Sequence, residues 1–219
     1  MLASPRGSGT ADTEALTWDK NPSSTVSEQL IAAIRRVHPV PREHLAPVLA
    51  AALPRRFEPG QHLVSLAQPA PNVFFLVTGL VRMYLLRRDG REFNKAFHRE
   101  GEFTGSHAAA VTGQPSLVGI VALEPVVATQ IPFAALEAAA QRHVEVERLL
   151  RRLAELRFWH RERREAELLL DNAHERFERL RRNEPWLLAR VSQKQLASYL
   201  GITEVSLSRL RSRRLAPKA

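Results

Sequence analysis

From Phe57 to Ile131 the chain is cut into short β-prone runs by turn residues, and this punctuation limits its fold more than any other feature. The runs are 57–66, 73–86, 91–97, 118–123 and 126–131. Between and within them stand Pro59-Gly60, Pro69, Pro71, Thr78-Gly79, Asp89-Gly90 and Glu100-Gly101. Glycine reaches positive φ at little cost, and proline fixes φ while lacking an N–H, so each ends a regular element. Many short strands at this spacing predict a compact antiparallel barrel or roll. Asp89-Gly90 between two apolar runs predicts a two-residue hairpin of type I′, whose central residues both need φ > 0.

Helical patterns flank the strands. Residues 1–26 are rich in Ser, Thr, Gly and Pro and are expected to form a disordered leader. From Ser27, Leu30, Ile31, Ile34 and Val37 recur on one helix face, and a second short helix is expected over Glu43–Leu53. After Pro132 the chain turns helical. Over Val144–Leu170 an apolar stripe of Leu149, Leu153, Leu156, Trp159, Ala166, Leu169 and Leu170 faces a surface of Arg and Glu, with Glu147 and Arg151 spaced for an i,i+4 pair. A helix of this length reaches about 40 Å, more than a small roll needs as cover. Part of the stripe is therefore expected to meet a second copy of the chain, with Leu149, Leu153, Leu156 and Trp159 as the dimer interface. Packing wholly on its own domain is the alternative.

Composition narrows the chemistry. With 219 residues, 44% hydrophobic and 25% charged, the chain can bury a core. No apolar run approaches the ~20 residues of a membrane span, and the first residues lack a signal peptide's apolar stretch, so a cytoplasmic protein is expected. The absence of cysteine removes disulfides, thiolate metal sites and cysteine nucleophiles. Eight scattered histidines form no i,i+4 pair beside a carboxylate, the serines lie in turns and caps, and Gly101–Gly105 lacks the ending of a phosphate loop. No enzyme, metal or cofactor is expected. Trp18, Trp159 and Trp186 are expected to anchor packing.

The net charge of +9 is unevenly spread: residues 1–141 carry 13 basic against 12 acidic side chains, and residues 142–219 carry 19 against 11. A neutral front and a basic rear predict that the rear meets a polyanion. A chain that places Arg on every solvated face would show the same count. The last thirty residues are more specific. Ser192 and Gln195 have the spacing of a capping box, Leu196, Ala197 and Leu200 line the inside of a short helix, and Gly201 stands where that helix ends. Thr203 caps a second helix, with Glu204 at its positive end and Leu207, Leu210 and, in part, Val205 turned inward. This is the pattern of a helix-turn-helix with a basic outward face, although an ordinary αα-hairpin also carries a glycine turn.

Taken together, Phe57-Glu-Pro-Gly60, Thr78-Gly79-Leu-Val-Arg82, Asp89-Gly90-Arg-Glu92, Gly101-Glu-Phe-Thr-Gly105 and Ala197-Ser-Tyr-Leu-Gly201-Ile-Thr203 resemble the CRP/FNR regulator superfamily over residues 28–213. The resemblance implies an α+β chain with four parts. A leader (1–26) precedes a cyclic-nucleotide-binding-like antiparallel β-roll acting as sensor (27–141). A dimerisation helix (142–170) then leads into an all-α helix-turn-helix domain (171–219). It implies a homodimer that reads an inverted repeat in double-stranded DNA, with RNA polymerase as a further expected partner and no membrane. The recognition helix maps to Glu204–Arg211, with Arg209 as base reader. Ser192, Gln193, Lys194, Thr203, Glu204, Ser206, Ser208 and Arg211 complete the expected DNA-binding set.

Three departures stand out. Where the family has Gly-Glu followed by Arg-Ser or Arg-Thr around a cyclic nucleotide, this chain has Gly105-Ser106 and Ser116-Leu117. A degenerate pocket of Arg82, Gly105, Ser106, His107, Ser116 and Leu117 is expected, unresponsive to cyclic AMP, its effector unknown. Val205 replaces the glutamate usually second in the recognition helix, and only Ser212–Ala219 follow where the family's wing would stand. These departures keep a second function open, a small-ligand sensor that acts through a protein partner and carries a vestigial helix-turn-helix.

Overall fold

The computed structural model describes residues 24–212; residues 1–23 of the expected leader, Trp18 among them, and the basic tail from Arg213 lie outside the described residues. Helix already begins at Ser24, inside the expected leader of 1–26. Two helices open the chain, α1 (Ser24–Val37) and α2 (Arg42–Ala51). Six strands follow: β1 (Leu53–Phe57), β2 (His62–Val64), β3 (Asn72–Thr78), β4 (Leu80–Leu86), β5 (Glu92–Arg99) and β6 (Phe103–Thr104). Then come α3 (His107–Thr112), β7 (Gly119–Ala122), β8 (Val126–Pro132), α4 (Phe133–Arg142) and the long α5 (Val144–Leu170). The chain ends in α6 (Ala173–Asn183), α7 (Pro185–Arg190), α8 (Gln193–Leu200) and α9 (Glu204–Ser212). The strands form two antiparallel four-stranded sheets, ordered β1-β8-β3-β6 and β2-β7-β4-β5. The expected roll is present.

Period-two alternation sorts the side chains of β3. Phe74 and Leu76 turn into the roll, where they pack with Val81, Met83, Ile120, Val126 and Ala128. Phe75, with Val73 and Val77 beside it, turns the other way onto Leu30, Ile31, Ile34, Leu45, Val48 and Leu136 of the flanking helices. The turn at Arg87–Gly90 differs from the expected type I′. Gly90 alone has positive φ (81°), Gly90 N donates to Arg87 O and Arg87 N to Arg91 O. The Asp89 carboxylate accepts from Arg91 N. This is a three-residue loop with a left-handed glycine, in which Asp89 serves as a side-chain acceptor and keeps ordinary φ.

The long helix has the expected bounds, but its stripe is divided. Val146 and Leu149 are buried in the chain's own helical core, and Leu150 and Leu153 pack against it. Leu156, Phe158, Trp159, Leu169 and Leu170 are exposed. The Glu147–Arg151 pair is not formed; Arg151 donates to Glu155 instead, where the same i,i+4 spacing places the acceptor one turn on.

Gly79 joins β3 to β4 at φ +94°, and a Cβ there would stand 2.5 Å from Pro125 O and 2.8 Å from Val126 Cγ2. Both the backbone angle and the space exclude a side chain. Gly79→Ala is expected to lower stability by about 2–4 kcal/mol; urea unfolding measures this, and a midpoint within error of the parent protein would contradict it.

Candidate nucleic-acid interface

Local chemistry builds the helical end of the chain. Asn172 starts α6 with a full capping box: its side chain accepts from His174 N and Glu175 N, and the Glu175 carboxylate accepts from Asn172 N. The box expected at Ser192–Gln195 is half-made. Ser192 Oγ accepts from Gln195 N at 3.3 Å, but the Gln195 side chain makes no return bond to Ser192 N. Gly201 leaves α8 at φ +68°, and Thr203 Oγ1 accepts from Ser206 N at 3.1 Å to cap α9. Leu196, Ala197, Leu200 and Leu207 are buried, Leu210 is partly buried, and Val205 is 60% exposed. Val205 therefore does not belong to the inner face.

The two helices present a continuous outer surface. Ser192, Gln193, Lys194, Thr203, Glu204, Ser208, Arg209 and Arg211 are exposed, and Ser206 is half-buried with its hydroxyl 2.9 Å from that of Thr203. Exposed positions of α9 fall at steps of three and four, which gathers them on one face. Lys194, Arg209 and Arg211 form no ion pair or hydrogen bond among the described residues. Other arginines nearby are spent internally: Arg176 donates to Leu200 O and Arg179 to Asp171.

Sequence reasoning did not foresee how this unit sits. Leu80 and Phe97 of the roll share one hydrophobic cluster with Phe177, Leu180, Leu187, Leu196, Leu200 and Leu207. β5 is the edge strand of its sheet, and α8 lies against it. Asn94 N donates to Ser198 Oγ at 3.0 Å, and Asn94 Nδ2 to Gln195 O at 2.9 Å. Ser198 Oγ donates to Glu92 O, and Phe97 meets Tyr199 edge to face. Arg164 of α5 donates to Tyr199 O and lies over the Tyr199 ring. Burial raises the pKa of Tyr199, whose hydroxyl donates to Glu184. Such pairings join positions about a hundred residues apart, and no local periodicity announces them.

Of the residues expected in the ligand pocket, Arg82 and Leu117 turn away from the roll interior. Arg82 is turned toward α8: it pairs with Glu92 at 2.5 Å, donates to Asn94 Oδ1 and lies over the Tyr84 ring. Leu117 points to solvent at 79% exposure. Ser116 is buried, but its hydroxyl closes its own turn by bonding Val118 O and Val118 N. Gly105 is required by packing, since a Cβ would stand 3.1 Å from Asn72 O. Ser106 is buried at the start of α3, and His107 lies edge-on to Phe133. Strand alternation explains Arg82, because Val81 and Met83 take the inward positions on either side of it. Among the described residues, no group of three or more His, Asp or Glu could hold a metal, and no helix is long and apolar enough to cross a membrane.

Arg190 ties the two parts together by charge, donating to Glu100 at 3.0 Å and Glu124 at 2.5 Å. The Arg190 hydrogen bond holds the Glu100 carboxyl below its ordinary value of 4.5. A depressed carboxylate contributes stability above its unfolded pKa and loses it as pH falls through the folded one. Arg190→Ala is therefore expected to lower the melting temperature at neutral pH, with the difference from the parent protein shrinking below pH 4.5. Thermal melts across that range measure it; a pH-independent difference would contradict the assignment.

A family model described as the cyclic nucleotide-binding domain matches residues 54–143. Among solved structures, the chain is similar to FixK2 from Bradyrhizobium japonicum, with 27% identity over 74% of this chain and 83% of that one, at a TM-score of 0.62. It is also similar to the regulator CLP from Xanthomonas campestris, described as c-di-GMP responsive (18% identity, 80% and 92% coverage, TM-score 0.64). A third likeness is to a putative CRP/FNR-family regulator from Eubacterium rectale (14% identity, 80% and 84% coverage, TM-score 0.64). No curated protein matches the sequence at a significant level. Residues 54–143 thus match a cyclic nucleotide-binding domain, and with the long helix and the two short helices joined at Gly201 the fold is similar to that of solved CRP/FNR-type structures.

Proposed function

We propose that the chain is a homodimeric DNA-binding transcription regulator whose α9 enters the major groove of an inverted-repeat operator. The observation that carries this reading is the exposed, unpaired basic face of α8 and α9, with Lys194, Arg209 and Arg211 held on a rigid, capped two-helix unit. Arg209 reads a base, because its fork matches guanine O6 and N7. Lys194 and Arg211 hold phosphates, with Ser192, Gln193 and Thr203 beside them at the helix starts, where backbone N–H groups favour anions. Dimerisation places two such units about 34 Å apart, one turn of B-DNA. The exposed Leu156 and Trp159, which line a groove with Arg36, Val37 and Arg152, supply the apolar part of the α5 seam. Leu149 and Leu153 serve the chain's own core instead. RNA polymerase is the partner such a regulator addresses.

The roll interior supports a sensor that ignores cyclic AMP. Of the two groups expected to offer a charge near it, Arg82 is committed to Glu92 and Asn94, and burial lowers the pKa of His107. A cyclic phosphodiester buried there would meet no charged partner at the Ser106 and Ser116 positions.

Gel shifts at two salt concentrations test the reading. Lys194→Ala is expected to weaken all sequences alike and flatten the salt slope by about one unit. Arg209→Ala is expected to relax preference at one position per half-site, worth about 1–3 kcal/mol. An unchanged site preference in Arg209→Ala, or binding with no salt dependence, would contradict the reading and favour action through a protein partner.

A further inference from the structure

The outer surface of the helix-turn-helix carries an apolar side chain in a polar setting. Val205, in the first turn of α9, is 60% exposed. Every other exposed side chain of α8 and α9 among the described residues is polar. Val205 takes no part in the hydrophobic cluster beneath, which α9 reaches through Leu207 and Leu210. A β-branched residue is a poorer helix former than Ala, Glu or Lys, and packing normally offsets that choice. Here nothing within the cluster does.

Single exposed apolar residues are common on protein surfaces, so the position decides. The start of a recognition helix is the end that contacts base edges in a helix-turn-helix. The direction of Val205 is fixed, because Thr203 Oγ1 caps the helix through Ser206 N and Leu207 is wholly buried. Ser208 and Arg209, three and four residues on and both exposed, share its face. Four residues of helix rise about 6 Å, and stacked bases are about 3.4 Å apart. Val205 therefore reaches a base pair about one or two steps from the one that Arg209 meets.

An isopropyl group neither donates nor accepts a hydrogen bond. Pressed on a polar base edge, it would displace water and return nothing. In the major groove thymine alone adds a methyl group to its edge. We propose that Val205 selects thymine: its isopropyl group packs on the C5-methyl of a thymine about one or two base pairs from the Arg209 guanine in each half-site. The inference rests on the operator reading above and deepens it.

The test uses the full-length protein and the duplex it selects from a random pool. Each thymine of that duplex is replaced in turn by deoxyuridine, which lacks only the C5-methyl group, and binding is measured at one salt concentration. Burial of one methyl group corresponds to about a fourfold change in affinity. A loss of about that size is expected at one thymine in each half-site, at the stated spacing from the guanine whose preference relaxes in Arg209→Ala. With cytosine at that position, 5-methylcytosine is expected to bind more tightly than cytosine. Val205→Ser, checked for folding by circular dichroism, is expected to bind the thymine and deoxyuridine duplexes alike. The base substitutions need only the parent protein, so they decide the matter even if the variant fails to fold. Selected half-sites without thymine at that spacing, equal affinity for thymine and deoxyuridine there, or a thymine preference that survives in folded Val205→Ser would overturn the inference and leave the operator reading in place. Failure to bind any duplex would overturn both.

Discussion

The molecule turns on the docking of α8 onto the open edge of β5. An edge strand leaves backbone groups unpaired, and a fold must cover or satisfy them. Here the hydroxyl of Ser198 takes the Asn94 N–H and returns a bond to Glu92 O, while the Asn94 side chain takes the Gln195 carbonyl. The same contact places Leu80 and Phe97 in the hydrophobic cluster of the helical unit. The helix-turn-helix therefore owes part of its core to the roll. Its orientation is fixed by packing, by direct hydrogen bonds and by the Arg190 pairs at the far side. Docking uses the inner side of α8 and leaves Lys194 and the whole outer face of α9 uncovered.

The long helix divides its surface in a related way. Its first turns close the helical core through Val146 and Leu149. Farther on, Leu156 and Trp159 are carried outward, and Arg157 is half-buried. A single element thus serves as core and as the proposed dimer seam. The same helix also reaches α8, where Arg164 donates to the Tyr199 carbonyl.

Much of this was legible in the residues. Turn glycines and prolines marked most strand ends of the roll, though β1 begins at Leu53, inside the expected second helix, and β6 was not foreseen. The 3.6-residue stripe gave α5 its bounds, and Ser192, Gly201 and Thr203 marked the two terminal helices, because each is a local effect of backbone chemistry. What depended on distant partners was not legible. Leu149 and Leu156 look alike in the stripe, and only packing against Leu136 and Ile31 makes the first a core residue. Arg82 reads as a pocket cation until strand alternation turns it toward Asn94. The helices α3, α6 and α7 escaped notice because they are short or follow the stripe without a break in composition. Asn94, Phe97, Glu100 and Glu124 carry no motif at all; their roles exist only across the interface.

The central claim is that two copies of this chain present α9 to DNA with two-fold symmetry. Selection of bound duplexes from a random pool, using the full-length protein, tests it most directly. The account predicts enrichment of an inverted repeat whose half-sites are centred about 10–10.5 base pairs apart. Enrichment of single, asymmetric sites, or no enrichment at all, would contradict it.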